Sequence, residues 1–207
     1  MENFGQPRNI LIGVDIQNDF INGSLAVTEG EQVVAPINLV AGAVRNSGGD
    51  VIFTGDKHPL VTPHFDTWPV HCVEGTEGAA FHHDLIIEDQ DIVISKGMGQ
   101  TDGYSGWEGV TAKGNTLEAI ITPQTPREKV RIFIGGLATD YCVKATALDI
   151  AARFGNDERV SLYLLRDAIR AVGLAQDDEQ AALDAMKAAQ YFAVSSLHAT
   201  SMIETML

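Results

Sequence analysis

Short apolar runs, separated by stretches of helical periodicity, constrain this chain more than any other feature. Asn9 to Val14 reads NILIGV and ends at Asp15. Similar runs follow at Val51 to Thr54, Ile92 to Ser95, Val130 to Ile134, Val160 to Leu165 and Tyr191 to Val194. None shows the clean apolar–polar alternation of a strand with one wet face. Between them, Val33, Ile37, Val40, Ala41 and Val44 fall on one helical face, and Gly48-Gly49 ends that helix. Val143, Ala147, Ile150, Ala151 and Phe154 form a second face, stopped by Gly155. Asp177 reads as an N-cap with Gln180 three residues on, ahead of Ala182, Ala185, Met186 and Ala189. Gly135-Gly136 reads as the close of the fourth strand. Strands buried on both faces and alternating with helices predict a parallel sheet sandwiched between helical layers.

The 207 residues fit a single domain over 1–207, with no repeat or Pro/Ser-rich linker. The formal net charge of -14 argues against nucleic acid and against anionic membrane surfaces. No segment approaches the roughly 20 apolar residues of a bilayer span. The run Ile10 to Val14 is too short for a secretory signal. With only Cys72 and Cys142, a reduced cytoplasmic protein is expected rather than a disulfide scaffold.

In doubly wound sheets ligands bind beyond the carboxyl ends of the strands. Asp15, Thr54 to His58, Ser95-Lys96 and Gly135 to Cys142 all stand there, and the long stretch from Lys57 to Asp91 reads as a functional loop. Cys142 follows a strand, a Gly-Gly pair and Thr139. With Thr139 as N-cap, it would lie in a first helical turn, whose amides stabilise a thiolate and lower its pKa. A buried core cysteine is the plainer alternative. Cys72, in WPVHC, lacks a helix start and reads as structural or as a neighbour of a metal site. Asp15 is a general base for a thiol or simply a loop carboxylate, and Lys96 is its ion-pair partner or a solvated strand end. Asp56-x-His58, His64 and His71 are borderline ligands suited to zinc, iron or manganese, unless the loop is only rich in solvated histidine. His82 and His83 show no ligand pattern.

Five blocks carry a resemblance to a known family: DIQNDF from Asp15, DKHPLVTPHF from Asp56, TWPVHCVEGTEGAAFH from Thr67, SKGMGQTDGYSGWEG from Ser95 and GGLATDYCV from Gly135. In this order they resemble the nicotinamidases, within the isochorismatase-like cysteine hydrolases. The resemblance implies a three-layer α/β/α fold with a six-stranded, mostly parallel, Rossmann-like sheet. It implies Asp15, Lys96 and Cys142 as catalytic triad, and Asp56, His58, His64 and His71 as ligands of one divalent metal ion per chain, zinc before iron or manganese. It places a cis peptide between Leu137 and Ala138, and an oxyanion hole in the amides of Ala138 and Cys142. Phe20, Trp68 and Tyr104 match the aromatic wall around a pyridine ring, with Tyr141 where some relatives carry histidine. The implied reaction is hydrolysis of nicotinamide to nicotinate and ammonia through a cysteine thioester, as part of NAD salvage. The partner is then a small molecule, and a homo-oligomer is left open.

Three other readings fit less well. Vinyl ether hydrolases of the superfamily lack the metal set, and carbamoyl or ureido amidases usually lack the full one. A non-catalytic sensor of nicotinamide or metal would not need Asp15, Lys96 and Cys142 together.

Overall fold

The computed structural model describes residues 6–99 and 103–205. Gln100, Thr101 and Asp102 of the SKGMGQTDGYSGWEG block lie outside the described residues. Six strands form one sheet: β1 (Arg8–Val14), β2 (Asp50–Asp56), β3 (Ile92–Lys96), β4 (Val130–Leu137), β5 (Val160–Arg170) and β6 (Phe192–Val194). Their spatial order is β3-β2-β1-β4-β5-β6, and every neighbouring pair is parallel. The helices are α1 (Asn18–Ile21), α2 (Val34–Asn46), α3 (Leu117–Ile121), α4 (Lys144–Phe154), α5 (Asp178–Ala188) and α6 (Ser196–Glu204).

Alternate strand residues feed two separate cores. Leu11, Phe53 and Phe133 pack with Ile37, Val40 and Val44 of α2 and Ala199 and Ile203 of α6. Ile10, Ile12, Ile52, Ile132 and Ile134 pack with Leu117 of α3, Ala147 and Ile150 of α4 and Met186 of α5. The strands read as unbroken apolar runs because each successive side chain enters one core or the other. No helix among the described residues is long and apolar enough to cross a membrane.

Several boundaries differ from the sequence reading. Gly135-Gly136 does not close β4: the strand continues to Leu137, with a register irregularity between Ile134 and Gly136. Gly136 has φ +121°, and a Cβ there would lie 2.0 Å from the Val14 carbonyl oxygen. The pair therefore bends the ladder instead of ending it. β5 runs on to Arg170, and β6 begins at Phe192 rather than Tyr191. Asp177 occupies the N-cap of α5 but its side chain makes no capping bond, and Gln180 donates to Asp184 instead. Helix α6 has no counterpart in the sequence reading; Ser195 caps it by accepting from the His198 amide at 3.2 Å.

The chain winds from β1 outward to β3, then returns to β4 on the other side of β1. The β1/β4 boundary is thus the point where strand order reverses, and a crevice opens at its carboxyl end. Gly136 stands at that boundary. Gly136→Ala should lower the thermal unfolding midpoint by the equivalent of at least ~2 kcal/mol, from left-handed strain and the clash with Val14. Calorimetry of the variant against wild type checks this.

Candidate active site and metal centre

Four adjacent strand ends deliver four side chains to one buried point. Lys96 ends β3, Asp56 ends β2 directly opposite it, Asp15 follows β1, and Cys142 follows β4. Asp15 takes φ +49°, a left-handed conformation that aspartate tolerates better than most residues. Its amide donates to the Thr54 carbonyl at 3.1 Å, and the Thr54 hydroxyl donates to Asp15 Oδ1 at 2.7 Å. Lys96 Nζ lies 2.7 Å from Asp15 Oδ2 and 2.7 Å from Asp56 Oδ1. The same ammonium donates to the Gly103 carbonyl at 3.1 Å and to Cys142 Sγ at 3.4 Å.

Burial sets the electrostatics. Asp15 and Lys96 are 0% and 1% exposed. Removal from water raises the Asp15 pKa to about 6; Lys96 pulls it down, Asp56 pushes it up and the Thr54 hydrogen bond lowers it. Burial works against the Lys96 ammonium, but Asp15, Asp56 and Cys142 more than offset it and hold its pKa well above the usual lysine value.

Cys142 departs from the expected cap geometry. It sits in a π-helical turn, Thr139–Val143, that precedes α4; Ala138 is the N-cap residue, and the buried Thr139 hydroxyl caps nothing. Burial pushes the Cys142 thiol well above its ordinary value, and Lys96 only partly opposes this. Burial therefore works against a thiolate at this helix start, and a nearby base is placed to take the proton. The Leu137–Ala138 peptide is cis, and the amides of Tyr141 and Val143 both donate to the Ala138 carbonyl at 3.1 Å.

Asp56 also reaches the histidines: its Oδ2 lies 3.7 Å from His58 Nε2. The sequence placed Asp56 with His58, His64 and His71. The three imidazoles converge, with ligand atoms within 4.8 Å of one another, while Asp56 straddles this group and the lysine. His58 and His64 stack with ring centres 4.5 Å apart, and His71 meets His58 at 5.0 Å. His58 is brought beside the His71 segment by a short parallel bridge, in which its amide donates to the Cys72 carbonyl at 2.9 Å. His58 Nδ1–H donates to the Gly97 carbonyl at 2.9 Å, and His71 Nδ1–H donates to the Pro69 carbonyl at 2.7 Å. Each ring then keeps its Nε2 lone pair for a ligand. His58 Nε2 is buried without a hydrogen-bond partner, and burial lowers the His58 pKa, which favours the neutral ring. A divalent ion would satisfy that atom, and the donor set fits one.

A pocket opens onto both groups. Phe20, Trp68, Tyr104 and Tyr141 line it together with Ala138, Cys142, Asp56, His64 and His71. Trp68 Nε1 donates to the Tyr104 hydroxyl at 2.9 Å, and Tyr141 packs against Trp68 edge-on at 4.9 Å. Asp15 and Lys96 do not line the pocket; they stand behind Cys142. His82 and His83 lie outside the cluster.

Sequence reasoning gave no individual role to Thr54, Gly97, Gly103, Leu25 and Val172. Thr54 carried a signal: it alternates with Asp56 along β2 and so shares its face. Gly97 shows its role only in the fold. With φ +68°, a Cβ there would lie 2.8 Å from both Asp56 Oδ1 and His58 Cε1. Leu25 and Val172 line the pocket from distant loops and carry no local mark.

The isochorismatase domain model matches residues 9–200. The nicotinamidase/pyrazinamidase of Mycobacterium tuberculosis is 37% identical over 194 residues, covering 90% of this chain and 98% of that protein. The crystal structure of the pyrazinamidase of Pyrococcus horikoshii in complex with zinc superposes with a TM-score of 0.77 at 34% identity, over 91% of this chain and 99% of that one. The PnC1 protein of L. infantum in complex with nicotinate gives a TM-score of 0.75 at 31% identity, over 92% and 93%.

The donor set predicts about one divalent ion per chain. Elemental analysis of the purified protein should find it, and His58→Ala should lose most of it.

Proposed function

This chain belongs to the isochorismatase family, and from that we propose that it hydrolyses nicotinamide to nicotinate and ammonia, with Cys142 as nucleophile. The observation that carries the reading is the Lys96 ammonium, 2.7 Å from Asp15 and 3.4 Å from Cys142 Sγ, behind a pocket walled by aromatic rings.

Asp15, ionised at neutral pH with its pKa at about 6, takes the thiol proton as sulfur attacks the amide carbon. Lys96 stabilises the sulfur's developing charge and keeps Asp15 in line. The amides of Ala138 and Cys142 receive the oxyanion. The C–N bond then breaks, and Asp15 returns the proton to the departing ammonia. Asp15 next deprotonates a water that attacks the thioester; as the C–S bond breaks, Asp15 returns that proton to the Cys142 sulfur, and the acid leaves and ionises to nicotinate in solvent.

His58, His64, His71 and Asp56 would hold the metal, for which we propose zinc; when bound, it would supply a Lewis-acid position for a ring nitrogen. Phe20, Trp68, Tyr104 and Tyr141 enclose the ring and exclude water. The observed zinc complex of the Pyrococcus horikoshii relative and the nicotinate complex of the L. infantum relative support this reading.

Benzamide has the shape of nicotinamide without the ring nitrogen. Its kcat/KM should be lower by roughly 10²–10⁵-fold, as expected for a site that loses a built polar contact. Equal values would remove the ring nitrogen from recognition. Cys142→Ala should abolish ammonia release and Cys72→Ala should retain most of it.

The pH profile tests the base. Asp15 must be ionised to accept the proton, so kcat/KM should fall as pH drops through about 6. Thr54→Val removes a hydrogen bond that lowers the Asp15 pKa, so this acid limb should move to higher pH. A limb that stays in place contradicts the assignment.

A further inference from the structure

β1 stops at Val14, paired with Thr54, but its neighbour β2 continues to Asp56. Asp15 turns away in its left-handed conformation. Asp56 pairs with Lys96 of β3 on one edge, and on the other edge it faces no strand. A buried peptide group left without partners is costly. Gln17 takes the place of the missing strand. Its Oε1 accepts from the Asp56 amide at 2.8 Å, and its Nε2 donates to the Asp56 carbonyl at 2.9 Å. The second Nε2 proton goes to the Ala79 carbonyl at 2.7 Å. The side chain is 1% exposed, so no water competes for these bonds.

Two residues on, Asp19 holds the histidine segment in a related way. Its Oδ2 accepts from the Cys72 amide at 2.7 Å, and its Oδ1 from the Ser24 amide at 3.1 Å. Cys72 has φ +44° and directly follows His71. The carboxylate fits only because residue 78 is glycine: a Cβ there would lie 2.0 Å from Asp19 Oδ2.

We propose that Gln17 and Asp19 are positioning residues of the metal centre: the turn that presents Asp15 also clamps the backbone of Asp56 through Gln17 and that of His71 through Asp19. The proposal rests on the reading that Asp56 and the histidines hold a divalent ion. It makes DIQNDF a single device. Asp15 serves the thiol, Gln17 and Asp19 secure two ligand segments drawn from elsewhere in the chain, and Phe20 walls the pocket. Neither Gln17 nor Asp19 lines that pocket.

The test uses zinc as probe. Metal-free wild type, Gln17→Met and Asp19→Asn are titrated with zinc against a chromophoric chelator, and each is melted in the presence of EDTA. Gln17→Met keeps the volume and removes all three hydrogen bonds. Asp19→Asn keeps the shape but turns an NH₂ toward an amide. Both should unfold cooperatively without metal and bind zinc ~10–100-fold more weakly than wild type, the usual weight of groups that orient ligands. A folded variant that binds zinc as tightly as wild type overturns the proposal for that residue. Loss of the fold in both variants overturns it too, because the residues would then support the domain in general. If only one folds, its zinc affinity decides. Wild type that binds no zinc overturns the metal reading itself, an outcome distinct from variants that match a zinc-binding wild type.

Discussion

A lysine ammonium withdrawn from water is the fixed point around which this structure is arranged. Such a charge survives burial only with anions and acceptors on every side. Lys96 has Asp15 and Asp56 at 2.7 Å and the Gly103 carbonyl at 3.1 Å. No single segment could supply these partners. They come from the ends of β1 and β2 and from the chain beyond β3, and they meet because β3, β2 and β1 lie side by side in the sheet. The reversal of strand order at β1 and β4 then adds Cys142 from the other side.

Asp56 joins the two halves of the site. One oxygen neutralises Lys96 and the other lies 3.7 Å from His58 Nε2. The charge that opposes the effect of burial on the Asp15 pKa is thus mechanically tied to the histidine cluster. Gly97 makes the approach possible, since its missing side chain leaves room for Asp56 and His58 while its carbonyl holds the His58 ring. The long segment after β2 owes its order to these contacts more than to secondary structure of its own. Its described regular element is the short turn Pro63–Asp66, where Thr62 accepts from the His64 amide.

What the sequence disclosed follows the range of the interaction. Doubly buried strands leave continuous apolar runs, and amphipathic α2 and α4 leave periodic ones, so the layers were legible. Alternation along an extended chain made Asp56-x-His58 readable as one face. Gly135-Gly136 misled, because a glycine pair marks a bulge as readily as a strand end, and only contact with Val14 decides which. The thiol misled in another way: a cysteine near a helix start suggests a low pKa, but burial depends on packing from four strands and reverses the direction. Helix α6 escaped because few of its residues face the core, Ala199 and Ile203 among them. Gln17 bonds to backbone groups far away in sequence, and no local pattern records such a partner.

The central claim is that Lys96 holds Asp15 in a range where it can exchange a proton with Cys142 near neutrality. Infrared difference spectroscopy measures this directly, with Asp15→Asn identifying the band of the protonated Asp15 carboxyl. In wild type the band should disappear as pH rises through about 6. In Lys96→Met, without the cation that lowers the Asp15 pKa, it should persist to higher pH. A wild-type carboxyl that titrates near its ordinary value of 3.8, or a Lys96→Met band that titrates as in wild type, would contradict the account.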